Sequence, residues 1–296
     1  MLDTQTLDRI LSGLKDVRIA VVGDLFLDRY FDLDAALTEP SVETGLDAYQ
    51  VFRVRCYPGA AGTVLNNLAA LGVGHLSTLS VIGNDGEAFE LMCALDRLGV
   101  DTERVIQASD RMTPTYSKPM LSQEDGSFKE LNRLDIKNRT PQSAELDLAM
   151  IRQLDEILPE VQAIIVADQV SERNLGVMTD AVREHISKLA AAHPEKIVYA
   201  DSRSHIGLYK HCIVKPNQSE LCHAVGIPNE GEQMGNQSHL LAAVELSKMT
   251  EGPVFTTRGP NGIVSIVNEK VETIPGLKVT GPIDICGAGD STTAGI

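Results

Sequence analysis

The residues best suited to chemistry stand near the end of the chain, in the string DICGAGDSTTAG running from Asp284 to Gly295. Gly287 and Gly289 flank Ala288, so the backbone can turn sharply there and present consecutive N–H groups with no bulky Cβ in the way. The small-residue run that follows opens a helix, which places Asp290 where bare amides and the helix dipole favour negative charge. An ionised carboxylate in that position can accept a proton from a hydroxyl while the Gly287, Ala288 and Gly289 amides hold a phosphoryl group in flight. The chemistry this predicts is phosphoryl transfer to an alcohol. A plain strand-to-helix turn would use the same glycines, and a short glycine motif alone is weak evidence.

The motif has company. GDLFLDRY spans 23–30, PGAAGTVLNNLAALG spans 58–72, IGNDGEAF spans 82–89, KPNQSE spans 215–220 and TTRGPNG spans 256–262. In order and spacing this set resembles the ribokinase-like (PfkB) family of sugar kinases, from about Val17 to the last residue. Within that family it is most similar to the kinase domain of bacterial heptose-7-phosphate kinases. The resemblance implies a three-layer α/β/α sandwich with a mainly parallel central sheet and a small β-sheet lid. It also implies ATP as phosphoryl donor and a sugar or sugar phosphate as acceptor. Asp28 would accept hydrogen bonds from sugar hydroxyls. Asn217 and Glu220 would organise the waters of a magnesium ion bridging the ATP phosphates, an indirect mode that suits an ion slow to shed water. Thr257 and Arg258, in a loop with Gly259 and Gly262, would bind nucleotide phosphate. Asp284 would hold a monovalent cation such as potassium beside the anion seat.

The elements that must position these groups read as alternating strands and helices. Val17 to Gly23 is, apart from Arg18, an apolar run of the kind buried in a parallel sheet. It delivers Asp24 and Asp28 to the carboxyl end of that strand, where open α/β sheets bind ligands. Asp24 could equally cap a turn. Strands are expected at 76–82, 161–168, 196–200 and 253–257, and helices at 3–15, 143–157 and 174–192. In the helix after Gly86, Phe89, Leu91, Met92, Leu95 and Leu98 recur at helical spacing and are expected in the core, with Asp85 as its cap. Asn217 and Glu220 also fit a capping box at the next helix, a role that needs no ligand. Asp168 ends a buried strand and would stand beside the acceptor in a supporting role. Two stretches, 34–56 and 112–133, interrupt the pattern with alternating residues, and Glu124-Asp125-Gly126 marks a hairpin. They form the expected lid over a core made of 1–33, 57–111 and 134–296, and the resemblance implies that such a lid also carries a homodimer contact. Arg133 would hold a phosphate already on the substrate or lie on the lid surface.

Composition bounds the rest. With 296 residues, 43% hydrophobic, and a net charge of −15, the chain can bury a core but offers no basic face for nucleic acid or an anionic membrane. No basic stretch precedes an apolar run before Val17, and no long apolar span occurs, so a cytoplasmic protein is expected. The five cysteines are odd in number and scattered, which suits a reducing compartment. His211, Cys212, Cys222 and His223 lack zinc-site spacing.

Two features depart from the family. Where relatives carry paired glycines and then an asparagine that binds the sugar, this chain has Gly59-Ala60 and, nine residues before Gly72, Thr63. A single hydroxyl replaces an amide, so the hydroxyl pattern being read should differ. The chain also stops six residues after Asp290, before the further helices that relatives place there. A fragment of a longer reading frame, an incomplete sequence and a degenerate relative all fit. Alongside the kinase reading stands a second one, a non-catalytic relative that binds a metabolite or a partner protein.

Overall fold

The computed structural model describes residues 3–229, 234–277, 280 and 287–296. The chain opens with helix α1 (Thr4–Gly13), capped by the Asp3 carboxylate, and enters strand β1 (Arg18–Gly23). Two long strands follow, β2 (Leu25–Pro40) and β3 (Asp47–Ala60), then α2 (Ala61–Ala70), β4 (His75–Gly83) and α3 (Gly86–Asp96). Short strands come next: β5 (Val105–Ala108), β6 (Thr115–Ser122), β7 (Phe128–Glu130) and β8 (Leu134–Ile136). The second half alternates more regularly, through α4 (Ala144–Ile157), β9 (Ala163–Asp168), α5 (Asp180–Ala192), β10 (Ile197–Ser202), β11 (Ile213–Val214) and α6 (Gln218–Val225). It closes with α7 (Asn236–Thr250), β12 (Val254–Thr257), β13 (Ile263–Val267), β14 (Lys270–Ile274) and α8 (Ala288–Gly295).

Among the described residues the strands form two sheets. The larger has the order β14-β13-β12-β11-β10-β9-β1-β4-β5, parallel from β12 to β5 and antiparallel only across β12, β13 and β14. β1 lies inside it, which explains the apolar run that follows Arg18: Ala20 and Val22 face one helical layer with α4 and α5, while Ile19 and Val21 face the other with α2 and α3. Helices thus cover both faces of a mainly parallel sheet, giving a three-layer α/β/α sandwich.

The smaller sheet has the order β3-β2-β6-β7, with β8 also paired to β6. It is longer than the alternating stretches of sequence suggest. β2 begins at Leu25, directly after β1, and β3 runs on to Ala60, so both strands descend to the end of the main sheet. The turn at Glu124-Asp125-Gly126 joins β6 to β7, with Gly126 at φ 79°. Two further expectations need correction. Helix α5 begins at Asp180, behind a Thr179 cap, rather than near 174. In α3, Leu91 and Leu95 are buried but Phe89 is 71% exposed, because the buried stripe also takes Ala88 and Ala94 and leaves Phe89 on the outer face. Asp85 caps that helix through the Ala88 amide at 2.8 Å.

Candidate active site

The site is built where the parallel strands end. β11 delivers Lys215, then Pro216 stops the strand and Asn217 caps α6. The Asn217 side chain accepts from the Glu220 amide at 2.9 Å while a Glu220 carboxylate oxygen accepts from the Asn217 amide at 2.7 Å, a complete capping box. β10 delivers Asp201, whose Oδ2 accepts from the buried Lys215 ammonium at 3.0 Å and from the Thr293 hydroxyl at 2.8 Å. The Thr293 bond ties α8 to the sheet and so helps to position Gly287 and Asp290. Gly287, at φ 73°, caps α8 in the left-handed region, and the Lys215 Nζ lies 3.6 Å from where a Gly289 Cβ would stand.

These groups wall a cleft of about 490 Å³, with Asn217, Ser219, Glu220 and Thr257 on one side and Gly287, Gly289 and Asp290 on the other. Its acids are crowded. Burial, reinforced by the nearby Asp201 charge, pushes Asp290 up to about 6 against the opposing pull of Lys215 and Arg203. Burial also pushes Glu220 up to about 7, less the effect of the Asn217 amide. Among the described residues no three acidic, His or Cys side chains gather closely enough to hold a metal directly. The donor set instead fits a hydrated divalent cation, whose charge would offset the crowding around Glu220.

A second cleft of about 320 Å³ opens on the other side of Gly287 and Asp290, beneath the smaller sheet. The β2–β6 register pairs Asp28 with Tyr116 and Tyr30 with Lys118, so strand alternation sets these four side chains on one face. Lys118 Nζ lies 2.7 Å from Asp28 Oδ1 and donates to the Tyr30 hydroxyl at 3.1 Å. Arg133 grips Asp135 through two bonds, of 2.6 and 2.9 Å, and lies 4.1 Å over the Tyr116 ring. Thr63, from the first turn of α2, and Ala60 complete the wall. Gly59 has a structural reason: a Cβ there would stand 2.4 Å from Asp28 Oδ2. Ala60 carries the strain expected where a glycine would sit, at φ 55° and ψ −117°.

Several expected site residues lie elsewhere. Asp24 is 3% exposed, and its oxygens accept from the Gln169, Val170 and Val177 amides at 2.8, 3.1 and 2.7 Å. Its carboxylate knits the loop after β9 to the end of β1 rather than facing the acceptor cleft. Asp168 is also buried and bonds Arg183, Ser202 and Tyr209, which corrects its placement beside the acceptor. Arg258 turns toward Asn236 at the start of α7, and neither it nor Gly259 nor Gly262 lines the larger cleft, although Thr257 does. Asp284 lies outside the described residues.

Other residues join the site without having been singled out. Lys118 is 90 residues from Asp28 in sequence, and only the parallel pairing of β2 with β6 brings them together. Lys215 stands inside KPNQSE, where it could be read as an ordinary strand end. Gln169 follows Asp168 at the end of β9 and Arg203 follows Ser202 at the end of β10, and both line each of the two clefts. The one available signal was position: each stands just past the carboxyl end of a parallel strand.

Comparison with known proteins agrees with this architecture. A family model described as "pfkB family carbohydrate kinase" matches residues 18–296. The chain is 26% identical over 295 residues to the bifunctional protein HldE of Trichlorobacter lovleyi, covering 99% of this chain and 57% of that protein. It is 28% identical over 290 residues to HldE of Wolinella succinogenes, covering 97% and 57%. The chain therefore spans little more than half the length of these relatives. Among solved structures, phosphofructokinase-2 from Escherichia coli in complex with substrates and products superposes with a TM-score of 0.65 at 20% identity, over 94% of this chain and 84% of that one. Arabidopsis thaliana ribokinase complexed with ribose and ATP gives 0.62 at 18%, again over 94% and 84%. These two share the fold.

Proposed function

Because the chain belongs to the pfkB family of carbohydrate kinases, we propose that it transfers a phosphoryl group from ATP to a hydroxyl of a sugar or sugar phosphate. The observation that carries this reading is that Gly287 and Asp290 stand in both clefts at once. A donor phosphate held beside Asn217, Lys215 and Thr257 and an acceptor held beside Asp28, Thr63 and Lys118 would meet at that shared wall.

Asp290 takes the proton of the attacking hydroxyl, and its pKa near 6 keeps it ionised at neutral pH while leaving it basic enough to accept. The Gly287, Ala288 and Gly289 amides receive the charge on the phosphoryl oxygens. Glu220 and Asn217 would hold magnesium through water, and the ion would there neutralise charge on the donor phosphates. Potassium at Asp284 is part of the same proposal. Asp28 orients the acceptor, but with one oxygen already bonded to Lys118 it presents a different pattern from a free carboxylate. Arg133 stands where it could meet a phosphate on the acceptor, its guanidinium held flat on Tyr116. The smaller sheet acts as a lid that excludes water, the competing acceptor. Its edge strand β3 exposes Tyr49, Val51, Phe52 and Val54, an apolar strip suited to a second copy of the chain. Among the described residues no helix is long and apolar enough to cross a membrane, and we place the protein in the cytoplasm without a nucleic-acid partner.

The Asp28–Lys118 pair also favours a second reading, in which this end binds a metabolite without reaction because its carboxylate is already occupied. ATP consumption measured across a panel of sugars and sugar phosphates separates the two. Turnover with one acceptor class is expected. Absence of turnover throughout, together with absence of nucleotide binding, overturns the kinase reading.

A further inference from the structure

Four cations line the two clefts: Lys118, Arg133, Arg203 and Lys215. Three are spent on neighbours. Lys118 lies 2.7 Å from Asp28, Arg133 lies 2.6 Å from Asp135, and Lys215 lies 3.0 Å from Asp201. At such separations each carboxylate cancels most of its partner's field, so these pairs contribute little net charge to a group arriving between them. Arg203 differs. Among the described residues no carboxylate lies within ion-pair distance of it, and its side chain is exposed to the cleft.

Its placement is nonetheless defined. The Arg203 amide donates to the Asp168 carbonyl at 3.1 Å, and its Nε donates to Gln169 Oε1 at 2.9 Å. That leaves the two terminal nitrogens without a hydrogen bond among the described residues. Arg203 is one of four residues, with Gln169, Gly287 and Asp290, common to both clefts. A guanidinium anchored along one edge, with its remaining N–H groups uncommitted, matches the oxygens of a phosphoryl group.

We infer that Arg203 is a catalytic residue of the transfer, bonding the peripheral oxygens of the phosphoryl group in flight together with the Gly287–Gly289 amides. This rests on the kinase reading above. In the step, the acceptor hydroxyl gives its proton to Asp290 and its oxygen forms the new P–O bond. The bond from the γ-phosphorus to the bridging oxygen breaks, and ADP leaves with that electron pair. Arg203 exchanges no proton; it supplies positive charge that no carboxylate within ion-pair distance among the described residues neutralises, at the wall common to both clefts.

The test uses the full chain with magnesium, ADP and aluminium fluoride, a mimic of the phosphoryl group in flight, and reads ADP affinity by calorimetry with and without fluoride. The parent is expected to bind ADP at least about 100-fold more tightly with aluminium fluoride. Arg203→Ala should lose about 10²-fold of that gain, the scale of one lost oxyanion donor, while its affinity for ADP alone stays within about threefold. Arg203→Lys should keep part of the gain, and added guanidinium should restore part of it to Arg203→Ala. If Arg203→Ala gains as much as the parent, the role of Arg203 is overturned and the kinase reading stands. If the parent itself gains nothing, the kinase reading falls and this inference with it.

Discussion

The two ends of the site are built by different means. At the end we propose for the phosphoryl group the work is done by backbone: a left-handed glycine before α8, a capping box at α6, and Gly287 and Gly289 lining a cleft. At the acceptor end it is done by side chains from a second sheet, joined in ion pairs such as Asp28–Lys118 and Arg133–Asp135. Backbone devices suit a group that every substrate shares, the phosphoryl being transferred. Side-chain pairs can be exchanged one at a time, which suits the part of the ligand that varies. The difference predicts that changes at the first end act on rate and changes at the second act on acceptor affinity.

The sharpest break should come at the shared wall. Asp290→Asn is expected to lower ATP turnover by about 10²–10⁴-fold, the range for loss of a general base, while thermal stabilisation by ADP is retained. Next, Glu220→Gln keeps a side chain able to complete the capping box but removes the charge. The magnesium concentration giving half-maximal turnover should rise about tenfold, as when an outer-sphere partner of a metal is lost. At the acceptor end, Lys118→Met removes a hydrogen bond to a charged group. It should raise the acceptor KM about tenfold and leave kcat and the KM for ATP within a few fold, which steady-state kinetics would resolve. A fall in kcat with unchanged acceptor KM would erase the contrast between the two ends.

Legibility in the sequence follows the same division. The GAGD turn and KPNQSE could be read because their geometry is local: the glycines, the cap and its acid lie within a few residues of one another. The buried run of β1 and the helices over both faces of the sheet were legible for the same reason. What escaped was set by long-range pairing. Lys118 meets Asp28 only through the register of β2 and β6, and nothing around Arg203 marks it as the cleft cation with no carboxylate partner among the described residues. Asp24 and Asp168 show the opposite error. Both end buried strands as a ligand-binding acid would, but in one the carboxylate is filled by three backbone amides and in the other by an arginine, a serine and a tyrosine. Sequence gives such acids a position along the chain but not the direction of the side chain.

The smallest expected effect sharpens the comparison from the stability side. Ala60 holds a backbone conformation open mainly to glycine, at a cost of about 1–3 kcal/mol. After the roughly 0.5–1 kcal/mol entropic cost of a glycine, Ala60→Gly should stabilise the fold by about 1 kcal/mol in denaturant melts. The kcat should stay within a few fold, any change falling on the acceptor KM, because Ala60 lines the acceptor cleft.

The central claim is that an ionised Asp290 takes the acceptor proton, and the pH dependence of a single turnover tests it without interference from product release. Only the deprotonated carboxylate can act as base, so with a pKa raised to about 6 the rate should be full above that pH and lost as pH falls through it. The account predicts that between about pH 8 and pH 5 the logarithm of the rate turns from flat to a slope of about one. A rate that stays constant across that range would contradict it.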